Sequence, residues 1–354
     1  MKDFNTLFII IILLVLASCR DQVSLSFPGV TADFETTPVA SADDAADDPA
    51  IWINYTDPAQ SLLVCSNKKS GIVVYDLEGN TVGSYEIGKI NNVDVRQGIW
   101  LNDSTKVDIA AGSNRTDNTI SVMQINPDGS LTDILARKIQ SGFAEVYGFC
   151  LYHDIPNRKV YAIVNDKEGM VEQWLLFGNG SMNMEGQLSR TFRAASSQLE
   201  GCVADDELGY LYIGEEDKGI WKFNADPSAE PTAKLVDDLS NPALKDDIEG
   251  LTIFYKANGT GYLIASSQGN NSYAIYTREG DNRYLGSFRI IDSEATDGVS
   301  ETDGIDVTSV ALGPLYPEGI FIVQDGYNHE NKELVNQNFK VVNWEKIPKS
   351  LNLK

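Results

Sequence analysis

The chain has 354 residues, enough to bury one large hydrophobic core or two of ordinary size. Its 51 acidic residues outnumber its 28 Lys and Arg residues, giving a formal net charge of -23. This argues against nucleic acid and anionic lipid head groups as partners, because both bind cationic surfaces. The two histidines, His153 and His329, are too few for a zinc or iron site built on several imidazoles.

The first 19 residues are typical of an export signal. Lys2 supplies a basic start, and residues 8–16 form an apolar run that is short for a membrane span. Leu16–Cys19 resembles a bacterial lipobox. We therefore expect a signal peptide over 1–19, lipidation of Cys19, and an exported lipoprotein anchored in the cell envelope or at the cell surface. An uncleaved anchor and an ordinary secretory signal are the alternatives.

Residues 20–42 are polar and contain two prolines, which predicts a tether leading into one domain over residues 43–354. The domain opens on Asp47–Trp52, where two adjacent carboxylates precede a proline and a short apolar strand. Because Pro49 disfavours helix at Asp48, we expect both carboxylates at the entrance of a strand. Their mutual repulsion would be relieved by solvent or by a metal ion.

Beyond Cys19, the chain has three cysteines, Cys65, Cys150 and Cys202. Cys65 and Cys150 lie in apolar strand-like runs, so buried thiols are expected, and the sequence permits a disulfide without indicating one. No cysteine is followed six residues later by an arginine, and no Arg-His-Gly run occurs. These absences exclude the cysteine-dependent and histidine-dependent phosphatases.

Strand-like apolar segments recur at intervals of roughly 50 residues, each followed by a polar loop and a second strand. The segments begin near Leu62, Val107, Val160, Tyr210, Tyr262 and Ile320. Six such repeats predict an all-β fold, a six-bladed β-propeller, with two β-sandwiches as the alternative. We also expect residues near Asp48–Ile53 to close the ring by pairing with the last blade.

Equivalent loops of a propeller meet on one face around its channel, so the polar loops of the repeats should converge. They would bring together the acidic residues Asp47, Asp48, Glu200, Glu215, Glu216, Asp246, Asp247, Glu249, Asp297, Asp303 and Asp306. They would also supply the cations Lys68, Lys69, Arg115 and Lys167. Taken singly, each charged run is typical of a solvated face. Together they favour calcium ions, which take about six to eight oxygen ligands, below a rim that binds a polyphosphorylated ligand.

A series of short motifs runs through the domain in order. After Asp47–Trp52 they are Asn67–Gly71, Asn91–Asp94, Ser113–Arg115, Glu145–Phe149, Lys167–Gly169, Glu200–Gly201, Glu215–Asp217, Asp247–Leu251, Ser267–Asn270, Thr302–Asp306 and Asn336–Lys340. In these motifs the chain resembles the bacterial β-propeller phytases, alkaline calcium-dependent enzymes that release phosphate from phytate (inositol hexakisphosphate). The resemblance covers nearly the whole predicted domain.

The resemblance implies a 3-phytase-like phosphoric monoester hydrolase that uses several Ca²⁺ ions, acts on phytate or calcium phytate, releases inorganic phosphate and works as a monomer. The catalytic calcium ligands it implies are Asp47, Glu200, Glu216, Asp247, Glu249, Asp297 and Asp303. A structural calcium site would involve Asp48 and the backbone of Asn91 to Val93. The phosphate-binding cleft would contain Lys68, Lys69, Arg115, Tyr147, Lys167 and Glu168. Asp166 departs from the family pattern; its carboxylate could partly cancel Lys167 and weaken the phosphate site, and the sequence leaves this effect open.

These roles imply metal-ion catalysis, in which water held by calcium attacks phosphorus directly and no phosphoenzyme forms. Lys68 and Arg115 would stabilise charge on the equatorial phosphate oxygens. A calcium-dependent propeller lactonase and a non-catalytic calcium-binding surface propeller are the alternatives. Phosphate release from calcium phytate, compared with lactone hydrolysis and simple ligand retention, separates the three.

Overall fold

The computed structural model describes residues 25–353. The predicted signal segment and the lipidation site at Cys19 lie outside this range. The described residues form six β-sheets of four or five strands and one two-stranded hairpin. The sheets are the blades of a six-bladed β-propeller, which confirms the predicted fold and rules out two sandwiches. Among residues 25–353, no helix has the length and apolar character needed to span a bilayer.

Two short strands, β1 (Gly29–Val30) and β2 (Phe34–Glu35), precede the blades. Blade 1 contains β3 (Ala46–Trp52), β4 (Leu62–Asn67), β5 (Gly71–Tyr75) and β6 (Thr81–Tyr85). Blade 2 contains β7 (Ile90–Trp100), β8 (Lys106–Asn114), β9 (Thr119–Ile125), β10 (Leu131–Asp133) and β11 (Ile139–Gln140). Blade 3 contains β12 (Phe149–Asp154), β13 (Lys159–Asn165), β14 (Met170–Gly178) and β15 (Met184–Arg193).

Blade 4 contains β16 (Leu199–Asp205), β17 (Tyr210–Glu215), β18 (Gly219–Asn224) and β19 (Lys234–Asp238). Blade 5 contains β20 (Ile248–Tyr255), β21 (Gly261–Ser267), β22 (Ser272–Thr277) and β23 (Tyr284–Ile290). Blade 6 contains β24 (Ile305–Thr308), β25 (Ile320–Asp325) and, after the hairpin β26 (His329–Glu330) and β27 (Glu333–Leu334), β28 (Asn338–Asn343). Helix α1 (Lys346–Ser350) follows, and 3-10 turns occur at Pro58–Gln60, Ala257–Gly259 and Gln268–Asn270.

The first strands of the six blades contact one another in a closed ring around the channel. The six apolar segments read from the sequence are the second strands of the blades. Hydrophobic packing fills the spaces between blades, because each of six buried clusters joins two neighbouring blades. The ring geometry therefore depends on apolar contacts between sheets that share few backbone hydrogen bonds.

Ring closure differs from the prediction. Residues 48–52 belong to β3, which pairs with β4 inside blade 1. The last blade is completed by β2, whose Phe34 pairs with Val341 of β28. Strand β1 lies parallel to β23 on the edge of blade 5. The range 20–42 predicted as a tether is therefore part of the propeller from Gly29 onward.

The loops between second and third strands lie on one face, together with the connections that lead into each following blade. Close packing of the strands below them requires glycine at two equivalent positions. Gly71 and Gly219 begin the third strands of blades 1 and 4 with φ values of 149° and 151°. A Cβ atom there would lie 2.0 or 2.2 Å from a carbonyl oxygen of the adjacent outer strand. These glycines fix the ends of the strands that carry the polar loops.

Candidate active site

The polar loops enclose a cleft of about 670 Å³ at the mouth of the channel. Its titratable lining residues are Asp43, Asp44, Lys68, Tyr147, Glu200, Glu216, Asp247, Glu249, Glu301, Asp303 and Tyr327. Residues that are distant in sequence thus converge, and five of the seven predicted catalytic calcium ligands share one cavity with Lys68.

Three glutamates form the centre of the cleft. One carboxylate oxygen from each of Glu200, Glu216 and Glu249 lies within 4.8 Å of the other two. Burial and the charge of Glu200 raise the pKa of Glu216 to about 7. Burial, followed by the charge of Glu200, raises the pKa of Glu249 well above its usual range. Glu249 Oε2 is buried without a hydrogen-bond partner, so the cluster has the charge and the free oxygen expected of a cation site.

Lys68 lies beside this centre, surrounded by three aspartates. Its Nζ atom is 2.7 Å from Asp44 Oδ1, 3.1 Å from Asp47 Oδ2 and 2.9 Å from Asp303 Oδ2. Burial raises the pKa of both Asp47 and Asp303 to about 7, even though Lys68 opposes the shift. Asp47 Oδ1 is buried and accepts no hydrogen bond. The single positive charge of Lys68 therefore does not balance the negative charges of the three aspartates around it.

Asp47 and Asp48 separate to opposite sides of β3, where the ladder register shifts between Ala46 and Pro49. Asp47 contacts Lys68 in the cleft. Asp48 lines a second cavity, at the other end of the channel, and accepts a hydrogen bond of 3.2 Å from the backbone N–H of Val93. Burial, followed by the charge of Asp47, raises the pKa of Asp48 well above its usual range.

The side chain of Asn91 connects the acidic centre to the cationic rim. Its Nδ2 donates to Glu200 Oε1 at 3.1 Å, and its Oδ1 accepts from Arg115 Nη1 at 3.0 Å. Within the backbone segment predicted for the structural calcium site, the Val93 N–H contacts Asp48.

The cationic rim is built around Tyr147. Arg115 and Lys167 lie over its ring, with the guanidinium carbon 5.4 Å and the lysine Nζ 4.3 Å from the ring centroid. Both cations share one oxygen of Glu145, at 2.5 Å from Arg115 Nη2 and 3.7 Å from Lys167 Nζ. Burial, followed by the charge of Glu200, raises the pKa of Tyr147, so its hydroxyl is a neutral hydrogen-bonding group beside the carboxylates. An anionic oxygen group of a ligand could therefore bind Arg115 and Lys167 at the position that the Glu145 carboxylate occupies.

Asp166 holds the turn that precedes Met170. Its Oδ1 accepts hydrogen bonds from the backbone N–H groups of Glu168 and Met170, at 2.9 and 2.8 Å. It therefore stabilises the turn that presents Lys167, whose ion pair in the described structure is with Glu145. The Asp166 carboxylate is thus engaged by its own loop and is not an ion-pair partner of Lys167.

Two other predicted residues lie away from the centre. Glu168 is exposed, and its side chain is not among those lining the cleft. Asp297 forms an ion pair with the fully buried Lys340, and its Oδ2 is 3.5 Å from His329 Nδ1. Asp297 thus lies in a neighbouring pocket, apart from the glutamates. In this structure Asp297 is therefore apart from the central cluster in which the prediction placed it, and Lys340 also contacts Asp325 and Glu35.

A smaller pocket adjoins the cleft on its basic side. It is lined by Asp44, Lys68, Lys69, Lys89, Arg115, Asn118, Ala144 and Glu145. Lys69 is half-exposed there, and its Nζ lies 3.4 Å from Asp43 Oδ2. Lys68 lines both pockets and Arg115 lines the basic one, so a ligand with two anionic groups could bind across the two pockets.

Sequence reasoning missed several participants. Asp44 contacts Lys68, and Lys89 lines the basic pocket. Gln268 Nε2 donates to Asp303 Oδ1 at 2.7 Å. Gln268 and Glu145 lie inside the sequence motifs Ser267–Asn270 and Glu145–Phe149, and these motifs could have identified them as site residues. Asp44 and Lys89 carried none, because their positions depend on how neighbouring blades meet.

Replacing Glu145 by glutamine is expected to strengthen phosphate binding. The Glu145 carboxylate competes for Arg115 and Lys167, and an exposed ion pair of this kind contributes about 0.2–1 kcal/mol. We expect KM for a phosphorylated ligand of this cleft to fall by about two- to fivefold, measured by steady-state phosphate release. Asp117→Asn is the control, since Asp117 pairs with Lys138 on the same face. An unchanged or higher KM in Glu145→Gln alone would contradict the competition.

Comparison with known proteins gives a consistent result. Residues 6–354 match a family model described as Phytase. A 3-phytase of Bacillus subtilis (strain 168) is 53% identical over 327 residues, covering 91% of this chain and 85% of the relative. A solved β-propeller domain of Cps50 (Swd1) from Myceliophteria thermophila aligns at 11% identity with a TM-score of 0.44, covering 84% of this chain and 83% of that one.

Proposed function

The chain belongs to the phytase family and is a phytate-hydrolysing phosphatase, and we propose that it works with calcium ions held by the carboxylates of the cleft. Family membership favours this activity over the lactonase and the non-catalytic propeller. We further propose that the protein works as a monomer.

The donor set fits calcium. The cleft offers carboxylate oxygens and no imidazole or thiolate among its lining residues, and Ca²⁺ is a hard cation that prefers oxygen. Two buried oxygens, Asp47 Oδ1 and Glu249 Oε2, lack hydrogen-bond partners. The residues that would hold calcium are Asp47, Glu200, Glu216, Asp247, Glu249 and Asp303. When bound, calcium would neutralise these carboxylates and polarise a phosphate group.

The chain's own cations would bind and orient the phosphate that is removed. Arg115 presents a planar fork suited to two phosphate oxygens, and Lys167 supplies a second charge 4.3 Å above the same Tyr147 ring. Lys68 would contact the phosphate from the acidic side, since its Nζ lies between the aspartates and the basic pocket. These groups stabilise charge on the equatorial oxygens in the transition state.

A neighbouring phosphate of phytate would occupy the adjoining basic pocket. Lys69 and Lys89 line it, and both would gain a partner on substrate binding. Holding a second phosphate restricts the orientation of the inositol ring and so aligns the reacting phosphate. This arrangement favours substrates with phosphates on adjacent carbons over isolated monoesters.

The observation that carries the calcium proposal is the buried glutamate cluster with its unpartnered oxygen. Phosphate release from phytate, measured on chelator-stripped protein and again after calcium is restored, tests it. We expect activity to disappear and return. Full activity of the stripped protein in excess chelator, at unchanged melting temperature, would refute calcium dependence while leaving the phytase assignment intact.

The stripped protein should also lose stability as pH rises. Burial raises the pKa of Asp47, Asp303 and Glu216 to about 7, against about 4 in the unfolded chain. Between about pH 4 and pH 7 the folded state therefore binds more protons, so its free energy of unfolding falls as pH increases.

Calcium would reverse this trend because it binds the ionised carboxylates. We expect the melting temperature in chelator to fall from pH 5 to pH 8, and the gain on adding calcium to grow over the same range. Thermal unfolding followed by circular dichroism measures both. A melting temperature in chelator that rises across this window would contradict the assignment of buried, proton-binding carboxylates.

We further propose that the chain is exported and anchored by a lipid on Cys19, on the basis of Leu16–Cys19 and the preceding apolar run. Cys19→Ala should leave phytase activity intact but move it from the membrane fraction to the soluble fraction, or block maturation. Fractionation and immunoblotting measure this outcome, with Cys65→Ala as the control. Processing and fractionation of Cys19→Ala identical to wild type would refute the lipid anchor.

A further inference from the structure

Two cysteines of neighbouring blades meet beside the channel. Cys150 is on β12 of blade 3 and Cys202 is on β16 of blade 4, and their Sγ atoms are 2.6 Å apart. Their exposed fractions are 1% and 6%. The third described cysteine, Cys65, is buried in blade 1 between different neighbours. The pair is thus well defined, and neither sulfur has a role in the catalytic scheme.

The backbone does not join the two strands. Cys150 is registered opposite Ile163 of β13, and Cys202 is opposite Ile213 of β17, each within its own blade. Blades 3 and 4 are held together here by a shared apolar cluster that includes both cysteines. A bond between the sulfurs would add a covalent link to the side-chain packing and the hydrogen bonds, such as His153 N–H to Asp206, that connect the two blades.

We propose that Cys150 and Cys202 form a disulfide bond between blades 3 and 4 of the mature protein. The sulfur separation is close to the covalent value of about 2.05 Å, so the bond requires little movement. Cys65 stays a free thiol, which accounts for the odd number of cysteines beyond Cys19.

The oxidant is a disulfide compound, such as a thiol–disulfide oxidoreductase in the compartment to which the chain is exported. The Cys202 thiolate attacks one sulfur of that disulfide, forming a mixed disulfide and releasing one thiolate. The Cys150 thiolate then attacks Cys202 Sγ, which forms the inter-blade bond and releases the second thiolate. The two protons from the cysteines and the two electrons end on the oxidant, which leaves as a dithiol. Cys202 lines the channel cavity opposite the cleft, which gives the oxidant a route of approach.

The link would brace the strands that carry the site. Cys202 follows Glu200 by two residues on the same strand, and Cys150 lies just after Tyr147. A bond between them would hold these two groups at a fixed separation when calcium is removed. It would also close a loop across 52 residues of chain, and disulfides of that span commonly stabilise a protein.

The test uses the full chain, purified reduced and then incubated with oxidised glutathione, so that it does not depend on export. Free thiols are alkylated in denaturant before digestion and mass spectrometry. We expect a cross-linked peptide pair containing Cys150 and Cys202, with Cys65 alkylated. Alkylation of all three cysteines, a stable glutathione adduct at Cys202, or a link that includes Cys65 would overturn the proposal.

Stability supplies an independent readout. Dithiothreitol should lower the melting temperature of the oxidised wild type and of Cys65→Ser by about 4–8 °C. It should have no effect on Cys150→Ser or Cys202→Ser. The wild-type measurement stands by itself if either variant fails to fold. A melting temperature of the oxidised wild type that is insensitive to reductant would count against a bracing disulfide.

Discussion

Exchanging Glu249 for glutamine is expected to lower kcat for phytate hydrolysis on the order of 10³-fold, which corresponds to about 4 kcal/mol of lost metal-dependent stabilisation. The same change should raise the melting temperature of the chelated protein by about 2–4 °C. Glu249 Oε2 is buried without a partner, and Glu249 repels Glu200 when both are ionised. A neutral amide removes that repulsion and can donate a hydrogen bond to Glu200. Activity and metal-free stability should therefore change in opposite directions.

Glu172→Gln is the matched control for Glu249→Gln. Glu172 is equally buried, but its carboxylate accepts hydrogen bonds from Ser141 Oγ, the Gly142 N–H and Trp174 Nε1. In Glu172→Gln, the NH₂ group of the amide would face one of these hydrogen-bond donors, which would lose its acceptor. Stability should therefore fall while kcat is retained. If Glu249→Gln behaved like this control, losing stability and keeping activity, the glutamates would be structural and the calcium assignment would fail.

Removing the Arg115 side chain is expected to cost 10²- to 10³-fold in kcat, equivalent to about 2.7–4 kcal/mol, by analogy with the loss of one donor that stabilises a transition-state anion. Arg115 lines the basic pocket beside Lys68, and Asn91 and Tyr147 hold its guanidinium in place. Arg115→Lys should recover part of the rate, because it keeps the charge and loses the fork. Steady-state phosphate release from phytate measures each variant.

Arg158→Ala is the control for the loss of one positive charge. Arg158 lies on the β12–β13 turn and its guanidinium stacks over Trp100, 4.6 Å from the ring centroid. Its removal should leave kcat unchanged. An Arg115→Ala variant with kcat within a few-fold of wild type would show that the transferred phosphate is held elsewhere, for example by Lys68 alone.

The number of blades and the composition of the cleft could be predicted from the sequence for local reasons. Strand alternation and turn residues are properties of short segments. The recurrence of apolar strands such as those that begin near Leu62 and Val107 therefore indicated six repeats. Because equivalent loops of a propeller share a face, Glu200, Glu216 and Glu249 could be placed together without coordinates. The family motifs then indicated the chemistry.

Contacts across blades could not be predicted in the same way. The position of Asp297 beside Lys340 and the use of Phe34–Glu35 to close the ring differ from expectation, and the turn hydrogen bonds of Asp166 were not predicted. In each case the residue forms its ion pair or its backbone hydrogen bonds with a partner that is close in space. The local sequence pattern does not identify that partner.

The sequence by itself determined the fold, the carboxylate-rich loops and the cations that accompany them, because strand period and loop composition are encoded locally. Only the tertiary structure decided which charges meet. It separated Asp47 from Asp48, surrounded Lys68 with three aspartates, set Glu145 between Arg115 and Lys167, and brought Cys150 to Cys202. The physical reason is that these contacts depend on the distance and rotation between blades, which are fixed by apolar packing along the whole ring.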